Sequence, residues 1–169
     1  MVYSLGAVFL VVSVILLLTW RSHSQTPQPV DSVGALEQAV STSTFPILFP
    51  TPLPSGYKAT SARFEPDTYG ATGDRRWYVG FTTAHNDFVS LWQTTAPLRR
   101  ILAATSNGGD CSTKQTVNGV EWTKCDGGKP TSRAYGHSVD GVTTVVSGTA
   151  SFSELEAFIN TLQVQSKVK

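Results

Sequence analysis

The chain has 169 residues, 40% of them hydrophobic, which is enough for one globular domain with its own core beside any segment that stays outside it. Thirteen Lys and Arg against twelve Asp and Glu leave a net charge of +1, so there is no strong field to attract nucleic acid, and a nucleic-acid partner is not expected. The basic pairs Arg75-Arg76 and Arg99-Arg100 are isolated doublets and read as solvated surface.

At the front, "VYSLGAVFLVVSVILLLTW", residues 2–20, runs without a charge. Nineteen helical residues rise about 29 Å, close to the roughly 30 Å hydrocarbon thickness of a bilayer, and predict a transmembrane anchor over residues 1–20. A signal peptide is the competing reading, but its apolar region is shorter and ends in a small-x-small site that "LLLTWRSHS" lacks. Orientation is contested by charge. Arg21 and His23 follow the helix and "MVYSLG" carries no Lys or Arg, so the positive-inside rule taken literally puts the C-terminal part in the cytoplasm. The expectation here is the opposite side, with an internal methionine start that truncates a basic cytoplasmic tail.

"RSHSQTPQPVDS", residues 21–32, is polar and contains proline, as befits a linker, and residues 33–165 form the folded domain. A short helix opens it, with Asp31 or Ser32 as cap and Val33, Leu36 and Val40 on one face. In "FPILFPTPLPSGY" four prolines forbid regular helix and favour an extended lead-in, with Phe45, Ile47, Leu48 and Leu53 packing.

From Tyr57 onward, short β-rich runs alternate with turn clusters: "YKATSARF", "RWYVGFTT", "DFVSLWQT", "STKQTV", "GVEWTK", "TSRAYGHS" and "VTTVVSG". Pairing the second and third across "AHND" puts Trp77, Val79 and Phe81 on the face of Phe88, Ser90 and Trp92. Two helices join the sheet. "PLRRILAATS" starts with Pro97 in the first turn, and "SFSELEAFINTL" opens with the capping box Ser151-x-x-Glu154 and carries an apolar stripe of Leu155, Phe158, Ile159 and Leu162. The expected fold class is α+β: an antiparallel sheet of about six or seven strands packed by two or three helices, behind the N-terminal transmembrane helix.

Catalytic chemistry finds little support. Gly136-His137-Ser138 suggests a nucleophile motif, but Asp140 stands where G-x-S-x-G needs its last glycine, and Asp140-Gly141 before a β-branched run is a hairpin signal. His137, Ser138 and Asp140 are too close along one strand to form a triad, since neighbouring side chains alternate faces. His23, His85 and His137 are scattered without metal-ligand spacing, and no cofactor or metal site is expected. Asp67, Asp74, Asp87, Asp110, Asp126 and Asp140 sit mostly in expected turns, where aspartate is favoured for backbone hydrogen bonding, and the glycines of "SNGGD", "CDGGK" and "YGATGD" read as loop glycines. Trp77, Trp92 and Trp122 read as core, with a ligand groove as the alternative.

The anchor, "FPILFPTPLPSGYKATSARFEP", "WYVGFTT", "NGVEWTKC" and "DGVTTVVSGTASFSELEAFINTL" together resemble the actinobacterial domain-of-unknown-function family 4245, from the anchor to Leu162. The closing section is also similar to family 4367, found in bacterial envelope membrane proteins and lipoproteins. The resemblance implies a single-pass membrane protein with its domain outside the cytoplasm, and brings no activity, cofactor or catalytic residue with it.

Cys111 and Cys125 are the only cysteines. If Val117-Asn118-Gly119 is a three-residue loop with glycine left-handed, Thr116 lies opposite Val120 and Cys111 faces Cys125, within disulfide reach. A two-residue Asn-Gly loop would put Cys111 one register out and on the other face. A disulfide therefore commits the hairpin to the longer loop, and its formation suits an extracytoplasmic domain. The leading expectation is a non-enzymatic binding, sensing or accessory module of the cell envelope. An envelope hydrolase or other enzyme and a structural spacer are the alternatives.

Overall fold

The computed structural model describes residues 31–69, 74–127 and 133–166. The expected anchor and residues 21–30 of the expected linker lie outside them. Among the described residues no helix is long and apolar enough to cross a membrane.

Helix α1 (Ser32–Thr42) is capped by Asp31, whose carboxylate accepts from the backbone N–H groups of Val33 and Gly34, both at 3.1 Å. Ala39 is fully buried, with Ala35, Leu36 and Val40 packed beside it. Val33, expected on this face, is 63% exposed: it falls in the first turn, which leaves the core before the apolar stripe begins.

The extended lead-in forms β1 (Ile47–Pro50), paired antiparallel with the last strand, β9 (Leu162–Gln165). Phe45 and Ile47 are buried and Leu48 half-buried, as expected, whereas Leu53 is exposed beyond the strand. Side chains hold β1 across the main sheet. Gln93 donates from Nε2 to the Pro46 carbonyl (3.1 Å) and accepts at Oε1 from the Leu48 N–H (2.7 Å), while the Trp77 indole donates to the Leu48 carbonyl at 3.1 Å.

The main sheet contains all seven expected runs: β2 (Lys58–Tyr69), β3 (Asp74–Thr82), β4 (Phe88–Thr94), β5 (Asp110–Val117), β6 (Val120–Asp126), β7 (Arg133–Val139) and β8 (Val142–Gly148). Their order is β2-β3-β4-β8-β7-β6-β5, antiparallel throughout. Helix α2 (Leu98–Thr105) follows β4, with Pro97 as the residue before its first turn. Helix α3 (Phe152–Asn160) follows β8, and its capping box is complete: Ser151 Oγ accepts from the Glu154 N–H, and Glu154 accepts from the Ser151 N–H.

The β3–β4 register differs from the expected one. Phe81 pairs with Val89 and Val79 with Leu91, so the buried face carries Trp77, Val79, Phe81, Val89 and Leu91, while Phe88, Ser90 and Trp92 lie on the other face. The cause is a loop of odd length. The Thr83 N–H donates to the Asp87 carbonyl, the Thr83 carbonyl accepts from the Asn86 N–H, and Asn86 is left-handed at φ 63°. One residue of shift exchanges every side chain between faces.

The main core lies between that face and α1, β1 and α3, where Leu155, Phe158 and Ile159 of the expected stripe are buried. Leu162, the last of the stripe, falls past the helix in β9 and is partly buried. Trp77, Phe81, Leu91, Leu155 and Phe158 are 0% exposed. Burial of such side chains contributes about 1.5–3 kcal/mol each.

Candidate functional site

The opposite face holds a smaller core under α2, made of Leu102, Cys125, Ala134 and Val145 with Trp92, Leu98, Ile101 and Cys111 beside them. The helix sits close because β7 is small beneath it. A Cβ added to Gly136 would lie 2.8 Å from both Leu98 Cδ1 and Leu102 Cδ2. The glycine of "YGHS" is therefore a seat for a helix and does not belong to a nucleophile turn. With eight residues α2 is about 12 Å long and covers two or three strands at about 4.8 Å spacing. Past its C-terminal end, where Ser106 Oγ donates to the Leu102 carbonyl (2.7 Å), the chain turns through left-handed Asn107 and Gly108. A cleft of about 400 Å³ opens between helix, turn and the β5–β6 hairpin, lined by Leu98, Arg99, Leu102, Ala103, Gly108, Gly109, Cys111 and Thr123.

Cys111 in this cleft is disulfide-bonded to Cys125. The expected pair forms, but by a different register. The hairpin closes with the two-residue loop Asn118-Gly119, both left-handed (φ 53° and 76°), and Val117 pairs with Val120, not Thr116 with Val120. That register alone would send Cys111 to the wrong face. A β-bulge between Asp110 and Thr113 restores it: Thr113 pairs with Lys124, Asp110 with Asp126, and the two residues between, Cys111 and Ser112, stand against Cys125 alone. Asp110 fixes the bulge by accepting from the Ser112 N–H at 2.9 Å, and the hydrogen bonds from Ser112 hold its carboxyl below the usual range.

Ser138 is exposed beside the turn Asp140-Gly141, whose residues are left-handed at φ 51° and 77°. His137 packs edge-on against Trp122 with ring centroids 4.1 Å apart, and its Nδ1 and the Trp122 Nε1 are buried without a hydrogen-bond partner. Burial lowers the His137 pKa. Trp77 and Trp122 are core residues, and Trp92 is half-buried beside the α2 core.

At the other end of the sheet, His85 Nδ1 lies 3.1 Å from Glu154 Oε1, while Glu154 Oε2 accepts from Ser151 Oγ at 2.9 Å. Serine, histidine and carboxylate are together here, but in the wrong order. Nucleophile activation needs the imidazole between hydroxyl and carboxylate, and here the carboxylate is in the middle. The hydrogen bond from His85, then those from Ser151, keep the Glu154 carboxyl below its ordinary range. Under α3, the Tyr135 hydroxyl donates to Glu156 at 2.5 Å and Gln115 Nε2 donates to the same carboxylate oxygen at 3.2 Å. Burial, followed by Glu156, pushes the Tyr135 phenol far above its usual range.

In each basic doublet an arginine is paired and not simply solvated. Arg76 is 6% exposed, 2.7 Å from Glu65 and over the Trp92 ring, and Arg100 pairs with Asp74. Sequence reasoning missed the α2 cleft because it depends on a bulge and a helix end that leave no periodicity in the sequence. The one available signal was Gly108-Gly109 directly after a short helix. Among the described residues no group of three or more His, Cys, Asp or Glu is placed to hold a metal ion.

This architecture defines the class: an α+β domain with a seven-stranded antiparallel sheet and the two-stranded β1–β9 sheet, disulfide-closed at one edge hairpin, with a cleft on its α2 face. Within that class the chain belongs to the family described as "Protein of unknown function (DUF4245)", whose profile matches residues 1–162. Neither a curated protein nor a solved structure matches the chain.

Proposed function

We propose that this protein is a single-pass membrane protein whose α+β domain, residues 33–165, lies outside the cytoplasm and serves the cell envelope as a non-enzymatic binding, sensing or accessory module. The observation that carries the proposal is the Cys111–Cys125 disulfide, held by a bulge that gives up regular strand pairing to place the two cysteines opposite each other. Such a bond persists in oxidising compartments and is uncommon in the cytoplasm. The uncharged run of residues 2–20 supports an anchor of bilayer length. The cleft supports binding over catalysis, because its lining is mainly apolar with a cation and one hydroxyl, a composition suited to holding a ligand.

Paired C-terminal reporter fusions test the location, one active only outside the cytoplasm and one only inside. The expected result is membrane-associated activity of the outside reporter with the inside reporter silent. Activity of the inside reporter alone would return the domain to the side that Arg21 and the positive-inside rule favour.

A further inference from the structure

We infer that the cleft beside the disulfide binds a small apolar carboxylate. Its volume of about 400 Å³ falls within the range of small-molecule sites. Leu98 and Leu102 form an apolar wall and the Cys111 sulfur gives a soft, polarisable surface, so the body of the ligand is hydrophobic and accommodates an aromatic ring. Gly108 is left-handed at φ +74°, with nothing within 4 Å of where a Cβ would stand, so that wall stays open.

The polar end is cationic. Arg99 lines the cleft and makes no ion pair with any described residue, in contrast to its neighbour Arg100, which is paired with Asp74. Lys114 Nζ lies 3.0 Å from the hydroxyl of Thr123, another lining residue, and its partner Glu121 is 67% exposed at 3.4 Å. The Asp110 carboxylate is engaged by the Ser112 N–H at 2.9 Å. Asp110 and Asp126 pair with each other one position from the Cys111 and Cys125 pair, and alternation turns them to the opposite face. A guanidinium with no ion pair among the described residues, at the mouth of an apolar cleft, fits a carboxylate in a bidentate fork.

The proposal rests on the reading of the domain as a binding module, but its test does not depend on which side of a membrane the domain occupies. Full-length protein in lipid nanodiscs is dialysed to equilibrium against phenylbutyrate, phenylbutanol and phenylbutylamine, with empty nanodiscs subtracted. Phenylbutyrate is expected to bind saturably, at least about tenfold more tightly than the amine. Arg99→Gln, an exposed change that keeps a good helix former, should weaken the carboxylate about tenfold and leave the alcohol unchanged. Ala103→Trp, which fills the cleft from the exposed side of α2, should abolish saturable binding of all three with the thermal midpoint retained. No saturable uptake above empty nanodiscs, an amine bound as tightly as the acid, or full binding by Arg99→Gln would each overturn the proposal. If Ala103→Trp proves unfolded, Arg99→Gln still decides. A cytoplasmic location would sink the envelope reading and leave this result standing.

Discussion

His137 and Ser138 are neighbours with opposite surroundings, and each makes a separate prediction. Ser138 is exposed next to a type I′ turn, and its neighbour His137 packs against Trp122. Ser138→Ala should therefore alter stability by no more than about 0.5 kcal/mol, and a serine-reactive phosphonate should not label the wild-type protein. Labelling that disappears in the variant would show a nucleophile after all. His137 points into the core face beside Trp122, with Nδ1 buried and unpartnered.

Burial holds the folded-state pKa of His137 below its ordinary value, so on acidification the unfolded chain takes up the proton first. Its contribution is then fully present above the unfolded pKa of about 6.5 and is lost as pH falls from there towards the folded value. In urea titrations from about pH 8 to about pH 5, wild type should lose more stability than His137→Phe, which keeps a ring against Trp122 and cannot titrate. Equal losses in both proteins would mean that the imidazole is solvated.

At the scale of elements, what could be read from the sequence was local, and what could not depended on single residues at the ends of elements. The capping box at Ser151 and Glu154, the Asp31 cap and the Asp140-Gly141 turn are each written in two to four consecutive residues, and all three form. Strand identity came through for the same reason, since β-branched and aromatic runs bounded by turn residues mark each strand independently. Register was harder. A loop closed by left-handed Asn86 and a bulge at Cys111 and Ser112 each change pairing by one residue, and neither alters the periodicity of the strand that contains it.

The two departures differ in consequence: the first puts the core face on Val89 and Leu91 in place of Phe88 and Trp92, whereas the second leaves the disulfide intact because the bulge compensates for the short loop. The β1–β9 pair was missed because its hydrogen-bonding partners lie more than a hundred residues apart and β9 has only four residues. The helix seat is testable at this scale. Gly136→Ala should destabilise the domain by about 1–3 kcal/mol through the Leu98 and Leu102 contacts, seen as a lower urea midpoint with unchanged slope. No change in the midpoint would mean that α2 is free to ride upward.

For the whole molecule, the sheet divides its labour by face. One face carries the large core under α1, β1 and α3, and the other carries the small core under α2, with the cleft where that helix ends. The disulfide joins β5, the outermost strand beside the cleft, to its neighbour β6. Closing a loop of about 15 residues in this way contributes on the order of 3 kcal/mol in the chain-entropy picture. That contribution is available only in a compartment that keeps the pair oxidised, which ties the stability of the fold to the location proposed for it. The most direct measurement is the intact mass of the full-length protein purified from its native compartment, alkylated before and after reduction. The expected result is no adduct before reduction and two afterwards, one each on Cys111 and Cys125. Two adducts before reduction would contradict both the native disulfide and a domain outside the cytoplasm.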